Sequence, residues 1–350
     1  LEAMATADAP VLSGPVVIVA GGTDPTVEDK MQGYTELLDR AFASYEGLVV
    51  SGGTSQGISG VVGEIGQTSA GRVRLLGYLP ELIPADATVD SHYDELRHTD
   101  GHGFSPREPL QTLIDLIASG IDPATVRVLG VNGGRIAAVE YRVALALGAA
   151  VGLIAESGRE AGRLLSDEAW ASSSRLVRLP VDAETIGAFV AAPPRELASE
   201  ERETVARAVH DAYRAARTAE HATTDPALVA WEKLPDDLRQ SNRDQADHIA
   251  DKLNRIDCVV APAGAPGEPA QLTTEEVEHL AQVEHGRWNA ERLLAGWSWG
   301  PDRDPVARTS PYLVSWGDLP DEIREYDREA VRNIPDLLAA VGLSIRRVGG

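Results

Sequence analysis

The residues of this 350-residue chain best suited to chemistry are paired glycines. Gly21-Gly22, Gly52-Gly53 and Gly133-Gly134 each end an apolar, strand-like run: PVVIVAGG (15–22), GLVVSGG (47–53) and RVLGVNGG (127–134). Glycine lets the backbone approach a ligand closely, and a helix that follows offers free N–H groups and a positive dipole end to an anion. Thr23, Thr54 and Ser55 add hydroxyls, Gly57 extends the second turn and Arg135 charges the third. The turns therefore form a candidate seat for a phosphate-bearing small molecule. SGGTSQGISG (51–60) is neither a Walker loop, lacking the lysine, nor a G-x-G-x-x-G fingerprint. Such turns also serve as plain strand-to-helix corners. Three on the same sheet edge favour a site.

A second constellation is EHGRWNAERLLAGWSWGPDRDP (284–305). On a helix, Glu284, Trp288 and Arg292 share one stripe at four-residue spacing, and the loop beyond brings Trp297, Trp299, Arg303 and Asp304 nearby. A ring flanked by arginines suits a purine nucleotide, with stacking on the base and charge on the phosphates. The same rings can instead form the core of a small domain, and spacing alone leaves both readings open. RHTDGHGFSPREP (97–109) reads as a polar loop over the glycine edge, with Arg97, His102 and Arg107 able to close onto a phosphate. His98, Asp100 and His102 alternate without a fourth ligand, so no metal site is expected.

Apolar runs at 15–22, 47–53, 72–80, 127–134 and 150–157 alternate with helical patterns at 29–45, 109–120 and 137–149. This alternation predicts an α/β fold with a doubly wound parallel sheet over residues 14–192. Residues 1–13 are expected to be a disordered tail, those before Met4 a cloning remnant. PPRELASEERETVARAVHDAYRAARTAEHA (193–222) reads as a charged helix within a linker over 193–225. From 226 to 350 a mainly helical second domain carries five of the six tryptophans, and Thr273 and Glu276 have capping-box spacing.

The net charge of -22 argues against long nucleic acid and against an anionic membrane surface, while leaving room for a small anion held locally. The lone Cys258, in the apolar run IDCVVAP, excludes an intrachain disulfide and reads as a buried structural thiol. No apolar stretch reaches the roughly 18 residues of a membrane helix, and no signal-peptide pattern opens the chain, so a cytoplasmic location is expected.

GGTSQGISG followed by GVNGGRIAAVEY resembles the SLOG superfamily, the Rossmann-like group related to the LOG nucleotide hydrolases, and its sensor-type members such as the domain at the front of TRPM channels. The resemblance, over about residues 14–190, implies a nucleotide-derived ligand (ADP-ribose-like, NAD-like, adenine or a cyclic nucleotide) and no required cofactor. The hydrolases carry PGGxGTxxE; this chain has NGGRIAAVE, which keeps Gly133, Gly134 and Glu140 and loses the Gly-Thr pair. The tryptophan stretch, with GWSWG (296–300), PYLV (311–314) and IPDLLAAVGLSI (334–345), resembles the RyR domain over about 226–348. That resemblance makes Trp288, Arg292 and Arg303 ligand-facing and Trp297 core, and suggests a homodimer because receptor repeats work in pairs. The expected protein is a cytoplasmic sensor in anti-phage or stress signalling that acts through a separate effector protein. The alternatives are a LOG-like hydrolase of an N-glycosidic bond, using Glu140 with Arg135 near the phosphate, and a protein-docking module.

Overall fold

The computed structural model describes residue 6 and residues 9–22, 28–170, 173–191, 197–217, 226–266 and 269–348. Two compact units are present: Leu1–Ala191 with Gly286–Gly317, and Ala192–His285 with Asp318–Gly350. This partition differs from the division expected at residue 226, because the tryptophan stretch belongs with the sheet.

The first unit is a seven-stranded sheet in the order β4-β3-β2-β1-β5-β6-β7, with every neighbouring pair parallel. Its strands are β1 (Val16–Gly21), β2 (Gly47–Ser51), β3 (Val73–Leu82), β4 (Glu95–His102), β5 (Arg127–Val131), β6 (Ala150–Ile154) and β7 (Leu176–Leu179). The helices between them are α1 (Glu28–Gln32), α2 (Thr35–Phe42), α3 (Gly57–Thr68), α4 (Arg107–Ala118), α5 (Arg135–Ala146), α6 (Arg159–Leu165) and α7 (Ala183–Val190). Strand order reverses between β1 and β5, which is where a doubly wound sheet opens a crevice at its carboxyl edge.

The continuous apolar strands are explained by burial on both faces. In β1, Val17 and Val19 pack with Leu38, Phe42, Val61, Ile65, Ile186 and Phe189. The alternate residues Val16, Ile18 and Ala20 pack with Leu113, Leu116, Ala137, Tyr141 and Leu164 on the other side. Ala290, Leu293 and Leu313 are buried in the first of these cores, and Trp288 and Trp297 lean on it. They come from the end of α11 (Thr274–Leu294) and the loop after it. Asn289, fully buried, donates from Nδ2 to Thr185 Oγ1 at 3.1 Å and to the Val314 carbonyl at 2.8 Å.

Two expectations are corrected. Residues 97–109 are not simply a loop: 95–102 form the edge strand β4, where Arg97 is buried and serves structure. Arg97 donates to Asp115 Oδ2 (2.8 Å), Glu95 Oε1 (2.7 Å) and the Pro10 carbonyl (2.7 Å), because a buried guanidinium needs acceptors on every side. Asp115 also accepts from Tyr78 and Thr6, and burial, which alone would raise its pKa, is outweighed by these bonds, so the carboxyl sits below its ordinary range. The same contacts tie down the described part of the expected tail, where Leu12 is buried and its N–H donates to Ser119 Oγ.

The second unit contains α8 (Ser199–Arg217), α9 (Asp236–Asp247), α10 (Ile249–Asn254), the start of α11, α12 (Asp321–Arg332), α13 (Ile334–Ala339) and an antiparallel pair, β8 (Cys258–Pro262) with β11 (Leu343–Arg347). The short β9 (Ser298–Trp299) and β10 (Thr309–Ser310) lie in the first unit. The stretch expected as a linker helix is packed: Val205 and Ala206 of α8 are fully buried, and Arg202 and Glu203 pair with Asp247 and Arg243. The helical run that starts at Asp236 breaks after Asp247 and resumes at Ile249. The capping box of α11 is formed, with Thr273 N–H on Glu276 Oε2 and Glu276 N–H on Thr273 Oγ1. Cys258 is buried, which raises its thiol pKa. None of the described helices is long and apolar enough to cross a membrane.

Gly286 tests how α11 meets the sheet unit, since a Cβ there would lie 2.5 Å from the Glu184 carbonyl carbon. Gly286→Ala, worth a gain of about 1 kcal/mol in an exposed helix, should instead lower unfolding stability in urea by about 1–3 kcal/mol. A gain would show that residues 286–294 are not packed as described.

Candidate functional site

A cleft of about 450 Å³ lies at the carboxyl edge of the sheet, within the roughly 300–1,000 Å³ usual for small-molecule sites. Gly21 and Gly22 at the end of β1, Ser51, Gly52 and Thr54 at the end of β2, and Gly134 and Arg135 at the head of α5 contribute to its wall. Tyr78, Phe104, Pro109, Thr112 and Ile136 add an apolar side, and Glu108, Glu140 and Arg159 add charge.

The turn from β5 into α5 sets the polar end. Asn132 (φ +65°) and Gly133 (φ +90°) both take left-handed backbone, and a Cβ on Gly133 would lie 2.8 Å from that of Ala137 and 2.9 Å from the Tyr141 hydroxyl. Ser157 clamps the turn: its Oγ accepts from Asn132 N–H and its carbonyl from Asn132 Nδ2, both at 2.6 Å. Tyr141 Oη donates to the Ala20 carbonyl at 3.1 Å and locks α5 to β1. In the first turn of α5, the N–H groups of Arg135, Ile136 and Ala137 have no acceptor among the described residues, the first helical bond being Ala138 to Gly134. Arg135 and Arg159, both exposed, stand beside them in the cleft wall. Asn132 Oδ1, also buried, has no partner among the described residues.

The β2–α3 turn differs. Ile58 N–H donates to the Gly22 carbonyl (3.0 Å), Thr54 N–H to Ser59 Oγ (3.2 Å) and Ser55 N–H to the Thr88 carbonyl (3.0 Å). These three amides are already committed. Tyr93 supports the turn from beneath, its hydroxyl donating to the Ser59 carbonyl, and burial pushes its pKa up to about 12.

Glu140 projects from α5 into the cleft with no hydrogen-bond or ion-pair partner among the described residues. Burial pushes its carboxyl up to about 7. Glu108, by contrast, is satisfied by Thr99 Oγ1 and the Ser105 N–H.

Of the residues picked out by sequence, Gly21, Gly22, Gly52, Thr54, Gly134, Arg135 and Glu140 come together in the cleft. Gly53, Ser55, Gly57 and Gly133 shape its turns without lining it. Thr23 lies outside the described residues. The tryptophan set is divided between the two units. Glu284 is buried in the second unit, 2.5 Å from the equally buried Lys252. In the first unit Trp288 packs on the core, Arg292 stacks 5.4 Å over Trp297, Arg303 is exposed, and Asp304 Oδ1 accepts from the Val306 and Ala307 amides in a tight turn. His98 and Asp100 are exposed on β4, and Arg107 donates to the Asp100 carbonyl. Among the described residues no group of three His, Cys, Asp or Glu side chains could hold a metal ion. Sequence reasoning missed Tyr78, Phe104, Glu108, Pro109, Thr112 and Arg159; of these, only Phe104, Glu108 and Pro109 fall in a stretch it had singled out.

The fold and cleft define a SLOG protein. The chain belongs to the family "SLOG in TRPM, prokaryote", matched over residues 14–192, just over half its length, and it carries a RyR domain over 270–347. Similar solved structures include TM1055 (21% identity, 44% of this chain and 82% of that one, TM-score 0.34). They also include the molybdenum cofactor carrier protein of Chlamydomonas reinhardtii (20%, 41% and 77%, TM-score 0.31). A third is the molybdenum cofactor binding protein of the phototrophic bacterium Rippkaea orientalis (19%, 41% and 77%, TM-score 0.30). No curated protein matches the chain.

Glu140 makes a stability prediction with a definite sign. Folding raises its pKa from about 4.3 to about 7, so the fold favours the protonated form. That contribution is complete at acid pH and is lost as pH rises through 7. Glu140→Gln cannot ionise, so its melting temperature should exceed that of the wild type by a margin that grows from about pH 5 to about pH 8. Parallel melting curves for the two proteins across that range would show Glu140 to be an ordinary solvated carboxylate.

Proposed function

We propose that the cleft binds a nucleotide-derived small molecule and that the protein is a sensor of it. The observation that carries this reading is the unsatisfied first turn of α5, flanked by Arg135 and Arg159 at the strand-order reversal. Three amide donors, a helix dipole end and two guanidinium groups make a seat for a phosphate in a chain whose net charge of -22 otherwise repels anions. The apolar side of the cleft suits a planar ring, and Glu140 is an acceptor for sugar hydroxyls. A role in stress or anti-phage signalling, with output through a separate effector protein, extends this reading.

Gly134 provides the test. It is the N-cap of α5, its backbone (φ −106°) suits any residue, and a Cβ there meets nothing within 4 Å. Gly134→Asp would cap the helix with its own carboxylate, an N-cap preference that keeps it at least as stable as the wild type. The same carboxylate would occupy the phosphate seat. Calorimetric titration with AMP, NAD, ADP-ribose and cyclic AMP should give binding to the wild type that weakens more than tenfold in Gly134→Asp and in Arg135→Ala. Unchanged affinity in both variants would remove the phosphate from this seat.

A second reading, hydrolysis of an N-glycosidic bond, is favoured by one observation: a partnerless carboxyl poised near neutral pH, suited to general acid–base work. Release of free base from AMP or nicotinamide from NAD, abolished by Glu140→Gln, would establish it. Binding without turnover would leave the sensor.

A further inference from the structure

We propose that Phe104 is the ring clamp of the cleft, the side chain that stacks on the planar base of a bound nucleoside monophosphate whose phosphate lies at the head of α5; this rests on the nucleotide reading above. The chain has three phenylalanines, and two of them, Phe42 and Phe189, are 2% and 1% exposed. Phe104 is 38% exposed and lines the cleft.

Its position is built. Gly103, in left-handed backbone at φ +81°, donates its N–H to the Leu82 carbonyl at 3.0 Å. On the other side Ser105 N–H donates to Glu108 Oε2 at 2.7 Å, and Arg107 N–H to Ser105 Oγ at 3.2 Å. A half-exposed aromatic fixed on both flanks is a preformed wall, which binds a flat partner at little ordering cost.

The strand order says which part of the ligand meets this wall. The α5 seat follows β5, whereas Tyr78 lies on β3 and Phe104 follows β4. From β5 through β1 and β2 to Tyr78 on β3 is three interstrand steps, or about 14 Å at the usual spacing, with the turn that carries Phe104 one strand further on. That span takes a phosphate, a sugar and a base in line. Charge and free amides gather at the α5 end, while Tyr78, Phe104 and Pro109 supply the other, so the base lies at the Phe104 end. The ligand class is therefore one with an aromatic ring about one sugar away from its phosphate.

The experiment is calorimetric titration of the full chain with AMP, GMP, CMP and UMP, and with ribose 5-phosphate, which has the phosphate and sugar but no base. Phe104→Ala and Phe104→Leu should weaken the nucleotide that binds best by about tenfold or more, the usual size of a lost stack. Ribose 5-phosphate affinity should be unchanged in both, and Phe104→Trp should retain the nucleotide. Equal nucleotide affinity in Phe104→Ala would overturn the proposal, as would an equal loss for ribose 5-phosphate, which would mean a general disturbance of the cleft. Failure of every nucleotide to bind the wild type would instead bring down the nucleotide reading, and the proposal with it.

Discussion

The arrangement of the site follows from one constraint, the left-handed turn at Asn132-Gly133 that aims the first turn of α5 into open space. Helix starts normally satisfy their leading amides with a capping side chain or a neighbouring carbonyl. The head of α3 does so with the Gly22 carbonyl, which accepts from Ile58 N–H, and that of α7 with Asp182. The head of α5 has a glycine N-cap with no side chain to fold back. Ser157 and Tyr141 hold the surrounding backbone too firmly for it to relax into a self-capped form. Three donors left to solvent or ligand are the result.

Glu140 works against its surroundings in the same cleft. A carboxyl among apolar groups is destabilised in its charged form, and no cation in the described fold offsets this. Sites that keep such a group trade stability for chemistry or recognition. The overall negative charge is no bar to the anion proposed for this cleft, because charges beyond about 8–10 Å are largely screened at ordinary ionic strength, whereas amides and arginines in the wall would act at contact distance.

Much of this was legible in the sequence. The central strands read as continuous apolar runs because both faces are buried, and the glycine pairs at 21–22, 52–53 and 133–134 marked the carboxyl edge. The edge strand β4 was missed because ELRHTDGH carries the polar alternation of a strand with one wet face, and Arg97, which looks like a surface residue, is neutralised by Asp115 some 18 positions away. The short β7 escaped for lack of length. The apolar wall of the cleft comes from β3, α4 and the turn before it, an assembly that strand order creates and local spacing does not encode. For the tryptophans the four-residue stripe was real, but it could not tell a ligand platform from a packing face. Trp288 and Trp297 turned out to lean on the sheet's own core.

Residues 286–317 being part of the first unit has a consequence for how the protein is made. When residue 191 leaves the ribosome the sheet's strands are all present, yet the apolar surface around Ile186 and Phe189 still awaits Ala290, Leu293 and Leu313, about a hundred codons downstream. The second unit likewise waits for residues 318–350. The first unit thus cannot close until residues 286–317 have been made, and the second waits for segments still further along, so the nascent chain carries unfinished apolar surface long after the sheet's strands are present.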